Sequence, residues 1–187
     1  MTDRPLDGRH RAIVRLGDPV LRERAPEVPA DRFGTRFLRD LGRDLVRTMF
    51  EDNGVGLAAP QIGVSVRVFA YFVPGEGDFD EVPPRVLVNP TLTLVGEPVE
   101  AGWEGCLSVP GLRGVVNRYP LVKVSAFDTD GKQVSFQAEG FHARVIQHEY
   151  DHLDGVVFLD RMKGMDTLTF EEEWERFAPD KAMPVEV

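Results

Sequence analysis

Apolar residues recur at helical spacing in the first third of the chain. Between Asp31 and Asn53 they lie three or four positions apart, at Phe33, Phe37, Leu41, Leu45 and Met49. This spacing predicts a helix of about five turns with one wide buried face. We expect Asp31 to cap its N-terminus, and Asn53 with Gly54 to end it in the left-handed conformation.

Short β-rich runs separated by turn residues follow this helix. They cover positions 66–73, 86–95, 99–102, 121–127 and 134–138. Runs of this length with turn-rich boundaries are typical of antiparallel strands. The Asp-Thr-Asp-Gly sequence at 128–131 predicts a hairpin between the last two runs. The stretch 74–84, rich in proline and acidic residues, predicts an exposed loop between strands.

Helical spacing returns in the last third of the chain. Apolar residues at 141–153 fall on a helical repeat, and Gly155 is placed to end that helix. Positions 167–177 predict a short acidic helix in which Thr169 and Glu172 form a capping box. One long N-terminal helix, antiparallel strands in small sheets and a central helix predict an α+β fold. A chain of 187 residues suits a single domain, which we take to span 1–187.

Composition disfavours several classes of function. The net charge of −9 and the pI near 5.0 disfavour direct nucleic-acid binding, which needs a clustered basic face. No run approaches the ~18 uncharged apolar residues needed to span a bilayer, and no signal-peptide core is visible. Cys106 is the only cysteine, so an internal disulfide cannot form and a reducing compartment is expected. We therefore predict a cytoplasmic protein that does not bind membranes.

The sequence His-Glu-x-x-His lies within the helix predicted at 141–153. His148 and His152 are four residues apart, so their imidazoles lie one helical turn apart and can converge on one metal ion. Glu149 is rotated about a quarter turn from His148, at the rim of such a site, where it can take a proton from a water on the metal. This pattern indicates hydrolysis.

A catalytic site of this kind needs a third protein ligand and one open position. Two sources of that ligand compete. The predicted terminal helix offers the glutamates Glu171, Glu172 and Glu173, and Cys106 lies upstream of the histidines. A lone cysteine is more often a small buried apolar residue, and a run of glutamates is more often a solvated helix face. Spacing alone leaves both ligands open.

Three segments of the chain resemble the signature segments of the peptide deformylase family, in the family's order. They are Gly-Val-Gly-Leu-Ala-Ala-Pro-Gln at 54–61, Glu-Gly-Cys-Leu-Ser at 104–108 and Gln-His-Glu-Tyr-Asp-His-Leu-Asp-Gly at 147–155. The resemblance extends over about 17–160 and leaves an acidic C-terminal tail at 165–187. It implies that Cys106, His148 and His152 are the three metal ligands.

The resemblance also implies the chemistry of the site. One divalent ion is expected, natively Fe²⁺, with Zn²⁺, Ni²⁺ or Co²⁺ also accepted by this donor set. Glu149 would act as general base and then deliver a proton to the departing amine. The Gln61 side-chain amide and the Leu107 backbone N–H would bind the carbonyl oxygen.

The same resemblance implies how a peptide would bind. Main-chain groups of Val55, Gly56 and Leu57 would pair with an extended peptide, which gives affinity without reading its sequence. An apolar pocket for the methionine side chain would include Phe141 and Val145, together with Val55 and Leu107. Arg113 would meet the outer end of the peptide. Asp151 is a candidate for supporting the metal ligands from behind, and Arg144 occupies a position that is apolar in some relatives.

The function implied is removal of formate from N-formylmethionine at the start of newly synthesised proteins. Its partners would be N-formylmethionyl peptides and nascent chains, with transient association with the ribosome. The acidic C-terminal end differs from the long basic helix of some relatives that is thought to dock near the ribosomal exit tunnel. Two alternatives stay open: a zinc endopeptidase with a downstream glutamate ligand, and a metal-stabilised binding module without turnover. A Cys106→Ser substitution would spare the endopeptidase and cripple the deformylase.

Overall fold

The computed structural model describes residues 7–75 and 81–177. Its helices are α1 (Arg36–Glu51), α2 (Gly140–Leu153), α3 (Phe158–Arg161) and α4 (Glu171–Phe177). Short 3-10 helices cover Pro19–Arg22, Ala30–Arg32 and Ala59–Ile62. The strands are β1 (Gly56–Ala58), β2 (Val68–Val73), β3 (Val82–Val95), β4 (Glu100–Glu104), β5 (Leu112–Arg118), β6 (Leu121–Phe127), β7 (Gln133–Glu139) and β8 (Thr169–Phe170).

The strands form two antiparallel sheets. One has five strands in the order β1-β2-β3-β6-β7, and the other has three in the order β4-β5-β8. The predicted α+β fold, with a long first helix, small antiparallel sheets and a central helix α2, is confirmed. In the described part of the chain, helices long and apolar enough to cross a bilayer are absent.

Helix α1 starts later than the sequence predicts. The expected cap, Asp31, lies in a separate 3-10 turn, and Gly34 has a φ of 67°, a left-handed conformation that interrupts an α-helix. Thr35 is the cap instead, because its side-chain oxygen accepts a hydrogen bond from the Leu38 N–H. Asn53, with a φ of 60°, follows the end of the helix in the predicted left-handed conformation.

The predicted strands are present with shifted ends. Strand β6 coincides with its prediction, whereas β3 begins at Val82, so that Pro83 and Pro84 belong to a strand rather than to the predicted loop 74–84. Positions 76–80 of that loop lie outside the described residues. The hydrophobic pattern does not predict β1, β5 or β8. Thr169 and Phe170 pair with β5, which is why the terminal helix begins at Glu171 and not at 167.

The five-stranded sheet carries a helix on each side. Val68 and Ala70 of β2 pack in a cluster with α1 side chains, whereas Phe69 and Tyr71 pack in a cluster with α2 side chains. Alternate residues of a strand point to opposite faces, so β2 is buried from both sides. Helix α2 is therefore held against a rigid support, and it ends as predicted before Gly155, whose φ is 73°.

Candidate metal centre

Three potential metal ligands lie together in the interior. The ligand atoms of Cys106, His148 and His152 all lie within 4.8 Å of one another, and the three residues are buried. His148 and His152 lie on successive turns of α2, and Cys106 follows the end of β4 after Gly105. The Cys106 Sγ atom is 3.3 Å from the Nε2 atom of His152. The fold thus brings together three side chains that are far apart in sequence.

The alternative glutamate ligands lie elsewhere. Within 7–75 and 81–177, the one group of three or more potential ligands that converges in this way contains Cys106 and no glutamate. Glu171 accepts hydrogen bonds from the Arg113 Nε and Nη2 atoms at 3.1 and 2.7 Å, and Glu173 pairs with Arg176 near the surface. The geometry therefore favours cysteine as the third ligand and gives no support to an endopeptidase with a terminal glutamate ligand.

His148 is oriented by a buried carboxylate. Its Nδ1 atom lies 2.9 Å from the Oε2 atom of Glu104, and its Nε2 atom has no hydrogen-bond partner among the described residues. A carboxylate at Nδ1 holds the proton on that nitrogen and leaves the Nε2 lone pair free for a metal. Burial by itself would raise the pKa of Glu104, but the charge of Arg118, with hydrogen bonds from His148 and Arg118, holds it well below its usual range.

A chain of buried ion pairs supports Glu104. The Arg118 guanidinium donates to both Glu104 oxygens at 2.9 Å and to Asp151 Oδ2 at 2.6 Å. Asp151 also accepts two hydrogen bonds from Arg161. Asp151 therefore lies behind the ligands, as the sequence suggests, but its link to His148 runs through Arg118 and Glu104. A network with every charge paired is rigid, so the His148 ring has a fixed orientation.

Glu149 is the second unusual carboxylate of the site. It is fully buried, and neither of its oxygens has a hydrogen-bond partner in the described part of the chain. Burial raises the pKa of Glu149 well above its usual range, and the nearby charge of Glu104 raises it further. Gly56 of β1 makes room for it, since a Cβ atom at Gly56 would lie 2.3 Å from the Glu149 Oε1 atom. Such a carboxylate is suited to exchanging a proton.

The donors fit a divalent cation. Burial lowers the pKa of His152 well below its usual range, with a further contribution from the charge of His148, so that ring is a neutral imidazole able to coordinate. Burial raises the pKa of the Cys106 thiol to about 12, and a bound cation is the kind of charge that would deprotonate it. Two imidazoles and one thiol suit iron, zinc, nickel or cobalt. The unpartnered Nε2 atom of His148 is consistent with such a ligand set.

Gln61 is held with its amide nitrogen towards this centre. It lies in the 3-10 helix Ala59–Ile62, and its Oε1 atom accepts a hydrogen bond from the Ala58 N–H at 2.8 Å. Its Nε2 atom lies 3.6 Å from Cys106 Sγ and 3.3 Å from Ser108 Oγ. Because the oxygen is fixed by the backbone, the NH₂ group cannot rotate away from the sulfur. This orientation is what a donor to a carbonyl oxygen requires.

The residues predicted to bind a peptide lie at an edge strand and in two different apolar clusters. Strand β1, which contains Gly56 and Leu57, is an edge strand of the five-stranded sheet, as strand addition requires. Val55, Phe141 and Val145 are buried in one apolar cluster beside α2, whereas Leu57 packs in the cluster on the α1 side. Their apolar character is compatible with a pocket wall and also with the core.

Leu107 and Arg113 complete the set of predicted residues. Leu107 follows Cys106 and packs against Gly54, where a Cβ atom would lie 2.8 Å from Leu107 Cδ1. Arg113 is buried, with its guanidinium bonded to Glu171 and 4.6 Å from the centroid of the Trp174 ring. The predicted contact between Arg113 and a bound peptide stays a prediction.

Comparison with known proteins identifies the family. The sequence model of the family described as polypeptide deformylase matches residues 10–167. The chain belongs to the peptide deformylase family. It is 45% identical over 155 residues to peptide deformylase 2 of Pseudomonas syringae pv. tomato, covering 81% of this chain and 87% of that protein. It is 44% identical over 158 residues to peptide deformylase 1 of Nitrosomonas europaea, covering 83% and 89%.

Solved peptide deformylases share the fold. The class I type b peptide deformylase of Acinetobacter baumannii, in a structure with Met-Ala-Ser bound, aligns with a TM-score of 0.78 at 37% identity. The alignment covers 82% of this chain and 99% of that one. The peptide deformylase of Thermotoga maritima aligns with a TM-score of 0.74, also at 37% identity, over 83% and 99% of the two chains.

Sequence reasoning misses two members of this deformylase site, Glu104 and Arg118. Glu104 stands two residues before Cys106, inside a segment that carries the family resemblance. That position was the signal from which its place in the site could have been predicted. Arg118 lies at the end of β5, and its role depends on the pairing of β5 with β4, which opposes Arg118 to Glu100. A tertiary contact of this kind leaves no local pattern in the sequence.

Arg144 is a buried residue of α2 that forms hydrogen bonds to the smaller sheet. It is 2% exposed and donates to Glu104 Oε1 at 2.9 Å and to the carbonyl oxygens of Glu100 and Val116 at 2.6 and 3.0 Å. Gly102 of β4 leaves space for it, because a Cβ atom there would lie 2.8 Å from the guanidinium carbon. In this chain the position therefore carries a charged group that helps hold Glu104.

Proposed function

We propose that this chain is a metal-dependent hydrolase that removes the formyl group from N-formylmethionine at the start of newly synthesised proteins and releases formate. One observation carries the proposal. The ligand atoms of Cys106, His148 and His152 lie within 4.8 Å of one another, beside the buried carboxylate of Glu149, which has no hydrogen-bond partner among the described residues. Membership of the peptide deformylase family supports the same reaction. We take residues 1–187 as one catalytic domain.

We infer that Cys106, His148 and His152 hold one divalent ion, natively Fe²⁺, and that Zn²⁺, Ni²⁺ or Co²⁺ can replace it. When bound, such an ion supplies Lewis acidity, which polarises the formyl carbonyl and lowers the pKa of a water. The protein contributes the orientation of the ligands. Glu104 fixes His148 through Nδ1, and Arg118 and Arg144 fix Glu104, which keeps the donor atoms in place before the ion arrives.

Glu149 is the proton carrier in this mechanism. Its raised pKa, caused by burial and by the Glu104 charge, favours uptake of a proton from the water that attacks the formyl carbon. The same carboxyl group then delivers the proton to the methionine nitrogen as the C–N bond breaks, leaving formate and a free amine. Transfer by a positioned carboxylate is typically worth ~10² to 10⁴ in rate.

Gln61 and the Leu107 backbone N–H stabilise the charge that develops on the carbonyl oxygen. The Gln61 NH₂ group lies 3.6 Å from the Cys106 sulfur and is held there by the bond from Ala58 to its Oε1 atom. A donor that is oriented before the reaction does not have to reorganise during it. One such donor is often worth ~10² to 10³ in rate.

The peptide substrate would bind at the β1 edge of the five-stranded sheet. The main chain of Val55, Gly56 and Leu57 would pair with an extended peptide, and the methionine side chain would contact Phe141 and Val145. Arg113 would lie towards the outer end. The related enzyme of Acinetobacter baumannii binds Met-Ala-Ser, and we propose N-formylmethionyl peptides and nascent chains as ligands here. We place the enzyme in the cytoplasm with transient ribosome association, without direct nucleic-acid or membrane binding.

The test is an anaerobic assay of formate release from formyl-Met-Ala-Ser with the Fe²⁺-loaded protein. We expect release by the wild type and a loss of ~10² to 10⁴ in kcat for Glu149→Gln at unchanged metal content. Glu172→Gln, a change on the C-terminal helix α4, is the matched control and keeps wild-type activity. Absence of release from every metal form would contradict the function, and full activity of Glu149→Gln would contradict the assigned proton carrier.

A further inference from the structure

We propose that residues 167–177, here called the strap, hold Cys106 in position from the side of the smaller sheet. The match to the family's sequence model ends at residue 167, so nearly all of the strap lies outside the matched residues. The strap contains β8 and α4. The inference rests on the proposed role of Cys106 as a metal ligand.

The strap is attached to β5 through its strand β8. Strand β8 pairs antiparallel with β5, with Phe170 opposite Leu112 and Thr169 opposite Arg113. The Glu171 N–H donates to the Gly111 carbonyl at 3.0 Å. Strand β5 pairs in turn with β4, the strand that ends directly before Gly105 and Cys106. The strap is therefore an added third strand and helix on the sheet that carries the cysteine.

Arg113 connects the strap to the residue beside the cysteine. Its guanidinium carbon is 4.6 Å from the centroid of the Trp174 ring. The same guanidinium faces Gly105, since a Cβ atom built at Gly105 would lie 3.6 Å from Arg113 Nη1 and 3.7 Å from Cζ. One planar group thus lies near both an aromatic ring of the strap and the residue before Cys106. The planar guanidinium of arginine can stack on a tryptophan ring, and arginine occurs over aromatic faces more often than lysine does.

Glu171 sets the rotation of that guanidinium. Its Oε1 atom accepts from both Nε and Nη2 of Arg113, which directs Nη1 towards Gly105. Trp174 is buried, and its ring centroid is 6.2 Å from that of Trp103 in β4. The strap therefore reaches the chain before Cys106 by two routes, through Arg113, which faces Gly105, and through Trp103 in β4. A ligand-bearing turn supported in this way loses less freedom when it coordinates an ion.

The consequence is that Glu171 and Trp174 act as positioning residues for the Cys106 thiolate. Changes to groups behind a metal ligand typically cost 10- to 100-fold in metal affinity. Because the strap acts through Arg113 and the backbone, we expect the lower end of that range, roughly tenfold. The effect should be larger on the sulfur ligand than on the two histidines, which lie on α2.

The test loads the full-length protein with Co²⁺ under anaerobic conditions. It follows the thiolate-to-cobalt absorption band and the rate of metal release to excess chelator. Trp174→Ala and Glu171→Ala should release Co²⁺ roughly tenfold faster and should shift or weaken the thiolate band. Trp174→Phe keeps a ring for the guanidinium and should restore most of the wild-type behaviour. Glu172→Ala, also on α4, is the control and should match the wild type.

Neither readout requires deformylation, so a failed formate assay would contradict the proposed function without touching this proposal. Glu171→Ala removes one partly exposed carboxylate, so it tests the strap even if Trp174→Ala fails to fold. A folded Glu171→Ala protein with the wild-type release rate and an unaltered thiolate band would overturn the proposal. Equal acceleration by Glu172→Ala would overturn it as well.

Discussion

A Cβ atom added to Gly56 would lie 2.3 Å from the Oε1 atom of Glu149. Two non-bonded heavy atoms do not approach so closely, so an alanine at this position must displace either the carboxylate or β1. A displacement of about 1 Å in catalytic geometry can cost roughly 10² in rate. We therefore expect Gly56→Ala to lower kcat for formyl-Met-Ala-Ser by about that factor, in an assay of formate release with metal content measured in parallel.

The control for this variant is Gly42→Ala in α1, where the added atom would meet only side-chain methyl groups of Thr129 and Val86 at 3.3 Å. That variant should keep the wild-type kcat. Wild-type kcat in Gly56→Ala would show that the close approach of β1 does not position Glu149.

Gln61→Glu separates the two ends of the side-chain amide. The variant keeps an oxygen to accept the Ala58 N–H but replaces the NH₂ group that faces Cys106 by a second oxygen. We expect kcat/KM to fall by roughly 10² to 10³, the value of one donor to a developing oxyanion. Gln133→Glu, at an exposed position of β7, is the matched control for the chemical change. A similar small effect of both variants would argue against Gln61 as the donor.

Glu104→Gln tests the buried network behind His148. The variant leaves Arg118 and Arg144 buried with one negative partner fewer, and an uncompensated buried charge destabilises by about 3–5 kcal/mol. Urea unfolding of the metal-free protein measures this loss. Glu51→Gln removes the surface pair with Arg47 and should cost under about 1 kcal/mol. Equal unfolding free energies for the two variants would contradict the importance of the network.

His142 predicts a pH dependence of stability outside the metal centre. Its ring stacks with Tyr71 and Phe136. Burial, followed by the charge of Arg85, lowers its pKa from 6.5 to about 4. The folded state thus favours the neutral ring. The stability that this preference provides is present above pH 6.5 and is lost as the pH falls towards 4. Because solvent screens this partly exposed ring, the loss is smaller than the limit of about 1.4 kcal/mol per pH unit.

His142→Phe keeps an aromatic ring between Tyr71 and Phe136 but cannot bind a proton. In the metal-free protein, urea unfolding at pH 7 and pH 5 should show a smaller loss of stability for this variant than for the wild type. The metal-free form is used so that protonation of ligands in competition with the metal does not contribute. A loss as large as that of the wild type would exclude His142 as a source of the acid sensitivity.

The sequence determines the centre of the site more completely than its surroundings. His148, Glu149 and His152 form a pattern within one helix, and helical geometry alone predicts that the two imidazoles lie one turn apart on the same face. Cys106 could not be chosen over the glutamates by spacing, because a third ligand is contributed by a different element. The family resemblance supplied that choice, and in the structure Cys106 lies beside the two histidines.

What the sequence could not show depends on tertiary contacts or on local competition between conformations. The hydrogen bonds from Arg118 and Arg144 to Glu104 form because β4, β5 and α2 pack together. Helix α1 starts later than predicted because the left-handed conformation of Gly34 interrupts the helix, although the apolar spacing includes Phe33. Strand β1 lies in a glycine-rich segment whose strand propensity is low. It forms a strand because it pairs with β2, which the local sequence does not show.

X-ray absorption at the metal edge of the Zn²⁺-loaded protein tests the central claim most directly. We predict one sulfur at about 2.3 Å and two imidazole nitrogens at about 2.0–2.1 Å, with one oxygen completing the shell. The sulfur should be absent from the spectrum of Cys106→Ser. A wild-type spectrum without a sulfur ligand, or one fitted only by a fourth protein ligand in place of the oxygen, would contradict the proposed site.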